Sequence, residues 1–143
     1  MVPDINNYLL VFSPGVIPPS SLVFSSFKMV SYINSSANEL YTLLNECSAA
    51  SVDKDENKLN SSYAELKSIW NKKQKVLSVF IHGSDITKLN EQINELGVAI
   101  NSKEPNEAIN VITDCTNTIE AIIENEKISF SNILEMPAIQ NQN

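Results

Sequence analysis

Apolar residues in this chain recur at alternating spacings of three and four through four successive segments, and that periodicity limits the fold more than any other feature. The first stripe is Val30, Ile33, Ala37, Leu40, Leu44 and Cys47, which predicts an amphipathic helix over about residues 28–48. The second helix starts near Asp53-Lys54-Asp55-Glu56, where acidic residues complement the helix dipole. It carries Leu59, Tyr63, Leu66, Trp70, Leu77 and Phe80 on one face and is expected to reach about Ile81. A third stripe, Ile86, Leu89, Ile93, Leu96 and Ile100, ends near Ser102. The fourth, Ala108, Ile112, Cys115, Ile119 and Ile122, opens at Pro105, a residue favoured in a first helical turn, and is expected to end near Lys127.

The punctuation between these segments is short. Gly83 is expected to terminate the second helix in the left-handed conformation, with Ser84 or Asp85 capping the third. Short connections force neighbouring helices antiparallel. No strand-like alternation competes with the helical period. The expected fold is therefore all-α, with four amphipathic helices packed as an antiparallel up-and-down bundle or as two stacked helical hairpins. The bundle is expected over residues 29–135, followed by a frayed tail over 136–143.

Residues 1–28 read differently. Twenty-three residues between Asp4 and Lys28 carry no charge, enough by length to cross a hydrocarbon core of about 30 Å. Pro14, Gly15, Pro18 and Pro19 interrupt that stretch, and five serines dilute it. The expectation is an irregular apolar segment lying on the protein or on a membrane surface, with a degenerate membrane anchor as the alternative.

Composition then subtracts chemistry. All 10 basic residues are lysines, against 17 acidic residues and the single His82, for a net charge of -7. Without arginine there is no bidentate clamp for phosphate or carboxylate. An acidic, arginine-free chain is also a poor match for nucleic acid, whose affinity rests on neutralising phosphates. The lysines gather at Lys67, Lys72, Lys73 and Lys75, while residues 89–143 hold nine acids, an imbalance that favours attraction between the second helix and the last two.

Each candidate for chemistry has a plainer structural reading. Asp53, Asp55 and Asn57 begin a calcium-loop pattern, but Lys58 stands where glycine is needed and Ala64 where a bidentate glutamate is needed. His82 with Asp85 could form a metal or acid–base pair, yet a histidine at a helix end more often meets the carbonyls there. Cys47 and Cys115 lie on core stripes, which points to structural thiols. Leu66 to Ile81, with Trp70, Lys72, Lys73 and Lys75, is a basic amphipathic stretch of the kind that lies on anionic membranes or binds a partner, or simply a bundle helix with a solvated lysine face. No catalytic residue, metal site or cofactor is expected.

Ile69-Trp70, Val79-Phe80-Ile81-His82, Asp85-Ile86 and the closing Phe130-Ser131-Asn132-Ile133-Leu134 resemble an uncharacterised bacterial family, domain of unknown function 4363. The resemblance covers about residues 29–135 and implies short, membrane-anchored, all-helical proteins of Firmicutes, with the helical domain outside the cytoplasmic membrane. The proline-broken N-terminus and Gly83 depart from that pattern. Together these readings predict a non-enzymatic structural or protein-interaction module at the bacterial cell envelope. It would bind another protein or itself through a helix face, with membrane contact through residues 8–33. The alternative is a small-ligand or metal sensor with its site near the His82 hairpin, and a cytoplasmic location remains the alternative to the envelope.

Overall fold

A computed structural model describes residues 19–139, with side chains described from 25 to 129 and at 131 and 132. The described chain forms four α-helices, α1 (Pro19–Asp53), α2 (Glu56–Leu77), α3 (Gly83–Asn101) and α4 (Pro105–Ile139), and no strand. Each packs against its sequence neighbour, and α1 also packs along α4, which closes the ring of an antiparallel up-and-down bundle. The four stripes meet in one core, where Leu40, Leu44, Leu66, Trp70, Leu89, Ile93 and Leu96 are among the fully buried residues.

The seams are unequal. Of the four seams, the backbones of α2 and α3 approach least, and the five-residue connection Ser78 to His82 that joins them is the longest of the three. Two aromatic side chains occupy that seam and hold it together. The Tyr63 hydroxyl donates to the carbonyl of Ile93 at 3.1 Å, and the Trp70 indole N–H donates to Asn90 Oδ1 at 3.0 Å. Both polar tips thus find partners on α3 while the rings fill the gap, as buried aromatics with polar handles require. Gly97 sits opposite Tyr63, and a Cβ there would overlap the phenol ring and its oxygen. The glycine is selected by this close approach.

Two turns at one end of the bundle close in the same way. At the end of α1, the N–H of Lys54 donates to Ser51 and that of Asp55 to Ala50; at the end of α3, Lys103 donates to Ile100 and Glu104 to Ala99. These paired bonds are Schellman motifs, which satisfy the last carbonyls of each helix and need a left-handed residue. Lys54 (φ 55°) and Lys103 (φ 57°) supply it, the only non-glycine residues at positive φ among those described. Asp55 then caps α2 by accepting from Lys58 N–H at 3.0 Å, within the acidic run where the sequence predicts the helix start, and Pro105 opens α4 as the sequence predicts.

Several boundaries differ from the sequence reading. The first helix starts at Pro19, ahead of the expected residue 28, and the last continues through Pro137 to Ile139. Proline at a first helical position leaves no bond unmade, which explains why Pro19 starts the helix. The second helix ends at Leu77, before Gly83, and that glycine is the first residue of α3 with no left-handed φ. His82 is therefore the residue preceding α3, and its side chain makes no capping bond; Ser84 and Asp85 lie inside the first turn. The expectations for residues 1–18 and for the final four residues fall outside the described part of the chain.

Candidate interaction surface

A small void joins Ile33 of α1, Leu77 of α2, Ile81, Ile86 of α3 and Ile122 of α4, which sets these residues at one level near the α2–α3 hairpin. By rise per residue, α1 and α4 then extend roughly 20–25 Å past that level, beyond the reach of α2 and α3. Around this end lie five of the seven large apolar side chains that are exposed among the described residues. Val76 (43%), Val79 (74%) and Phe80 (40%) belong to the hairpin, Phe27 (60%) to α1 and Ile128 (60%) to α4. A local sequence signal exists for this: after Leu77 the apolar run Val79-Phe80-Ile81 leaves the helical period, so only Ile81 turns into the core.

The six residues singled out from the sequence distribute around that end. Trp70 is buried and belongs to the core seam. Lys72 and Lys75 are exposed, while Lys73 lies between α2 and α1, with its ammonium 2.7 Å from Glu39 and 5.4 Å from the centre of the Tyr32 ring. Although the charge imbalance favours α3 and α4, the ion pair that a lysine of α2 makes among the described residues is with α1.

His82 is exposed, and Asp85 is half-buried. Both act on Glu126 of α4. Burial pushes the Glu126 carboxyl up, His82 opposes that shift and Asp85 adds to it. Among the described residues, no three His, Cys, Asp or Glu side chains are grouped closely enough to hold a metal ion. Cys47 and Cys115 are fully buried and unpaired, and burial first, then nearby acids, pushes each thiol up to about 12. Such thiols carry negligible thiolate at neutral pH, so they serve as small core residues.

The same end contains a packing defect. Ser36 is buried against the void of about 20 Å³, and its hydroxyl has no hydrogen-bond partner. Ser51, by contrast, bonds back to the carbonyl of Cys47 at 2.8 Å, and the buried Ser62 reaches the Glu46 carboxylate at 3.4 Å. Sequence reasoning passed over Ser36 because a serine between Ile33 and Ala37 does not disturb the apolar stripe.

No described helix is long and apolar enough to cross a membrane. A family model described as Domain of unknown function (DUF4363) matches residues 27–133, which takes in α2, α3 and most of α1 and α4. Neither a curated protein nor a solved structure matches the chain.

Proposed function

The chain belongs to the DUF4363 family, and on that premise we propose that it is a non-enzymatic helical module that binds a partner at the bacterial cell envelope through the apolar end of its bundle. The observation that carries this reading is the grouping of Val76, Val79, Phe80 and Ile128 at the end where α1 and α4 overrun the hairpin. Single exposed apolar residues need no explanation, but several large ones at one end of a bundle support a contact surface there. The opposite end is bounded by two capped turns that carry Lys54, Lys103 and Glu104, which gives the module an orientation.

In this reading the overrunning helices carry the chain toward the membrane surface, and residues 8–33 supply the apolar contact on that side. The extracytoplasmic placement of the bundle is part of the proposal. Fractionation of native cells and flotation with anionic vesicles test it, using the full chain and the variant V76S/V79S/F80S. Because these three side chains are already exposed, the variant should keep its melting temperature while losing membrane or partner association. Unchanged association of the variant, together with a monomeric chain that yields no crosslinked neighbour, would remove the reading.

A further inference from the structure

At the charged end, the two Schellman turns enclose a cleft of about 390 Å³. Its floor is set by Ala50 of α1, Ala99 of α3 and Ala108 of α4, all buried. Three helices thus converge on methyl groups where larger side chains would close the space. Leu59 and Ile100 extend the apolar lining, so the cleft has the size and character of a small-molecule site.

The rim decides the class of ligand. It carries two ammonium groups, Lys54 and Lys103, and two carboxylates, Glu56 and Glu104. Lys103 Nζ is engaged by both Glu56 oxygens, at 3.2 and 3.3 Å. No carboxylate among the described residues pairs with Lys54. One cation is therefore unmatched above an apolar floor, and Glu104 is the remaining free charge on the opposite turn. A ligand with a single negative charge satisfies Lys54, whereas a second negative charge would meet Glu104. The chain also lacks any arginine that could clamp a phosphate in two-pronged fashion.

We infer that this cleft binds a small amphipathic monocarboxylate, its apolar body over Ala50, Ala99 and Ala108 and its carboxylate on Lys54. The inference is independent of the envelope proposal, since it concerns the other end of the bundle. Fixing the lysine at the left-handed position of a capped turn holds the start of its side chain rigidly at the rim, which limits the ordering needed on binding.

Titration of the full-length, isotope-labelled protein with octanoate, followed by amide chemical shifts, tests it. Saturable shifts should centre on residues 50–59 and 99–108. The variant K54G should weaken octanoate about tenfold, the loss expected for one charge-assisted hydrogen bond, without lowering the melting temperature, because glycine suits that backbone. K54R should retain binding, and octanol should be indifferent to K54G. Suberate, of equal length with two carboxylates, should bind more weakly than octanoate. Shifts confined to residues 76–81, no saturation at millimolar octanoate, equal affinity for suberate, or unchanged affinity of K54G would each overturn the inference.

Discussion

The two ends of the bundle solve the same problem, ending helices without exposing their core, in opposite ways. At the end with Lys54 and Lys103, each chain reversal is a capped turn whose carbonyls are bonded and whose surface is charged. At the hairpin end, α3 starts without a side-chain cap, a void remains beside Ser36, and apolar side chains face outward. The first end has its backbone bonds closed around a cleft sized for a small molecule; the second presents apolar side chains that a larger contact would cover. The difference teaches that regular helix periodicity sets the core of a bundle but leaves its ends to be decided by individual residues.

The largest test of this contrast is Trp70→Ala. Removing a fully buried tryptophan from the wide α2–α3 seam should cost about 3–5 kcal/mol. Hydrogen exchange should show amides 77–86 losing protection well before those at 50–59, since the hairpin end has fewer supports. Equal loss at both ends would dissolve the distinction.

Gly97→Ala is next. Alanine is the better helix former by about 1 kcal/mol, yet its Cβ would overlap the Tyr63 ring, so the net effect should be destabilisation by about 1–3 kcal/mol. Adding Tyr63→Leu should recover part of the lost melting temperature, since a smaller side chain makes room for the methyl. A stabilised G97A would show that the seam relaxes freely.

Ser36→Ala addresses the defect itself. Deleting an unpartnered buried hydroxyl should raise stability by about 1 kcal/mol in denaturant unfolding. On the other end, Lys54→Gly and Lys103→Gly should each gain up to about 1 kcal/mol, because glycine tolerates the left-handed conformation that lysine adopts under strain. The Lys103 variant should gain less, as it gives up the exposed contact with Glu56.

The smallest effect concerns Glu126. Its carboxyl is pushed up in the folded state, so the folded protein holds that proton more tightly than the unfolded chain. The associated stability is complete below the unfolded carboxylate range and is lost as pH rises through the folded value. Glu126→Gln should therefore flatten the decline of melting temperature with rising pH across the acidic range. An unaltered pH profile would show that Glu126 is not placed under stress by burial at the hairpin end.

Much of this molecule was legible before its coordinates. Stripes such as Ile86, Leu89, Ile93, Leu96 and Ile100 identify buried faces because a helix repeats every 3.6 residues, and four such stripes with short connections admit few packings. Pro105 and Asp55 marked helix starts for local reasons, so they too were readable. The hairpin was less so. Gly83 looked like a terminator, but the helix before it ended six residues earlier, because the run Val76 to Ile81 cannot keep all its apolar side chains on one face.

What the sequence by itself determined is the class of fold and most of the core, with Leu66, Trp70, Leu89 and Ile93 among its residues. Only the tertiary structure decided which residues at the ends are paired and which are left over. Lys54 and Lys103 took left-handed positions of the kind that glycine usually fills, three alanines from separate helices met around one cleft, and Lys73 turned to Glu39 rather than toward the acidic half of the chain. Local periodicity reports which face of a helix is buried. It is silent about the distance between helices and about the neighbours that distance selects, and those are set by the bulk of Tyr63 and Trp70 in a seam that no single segment encodes.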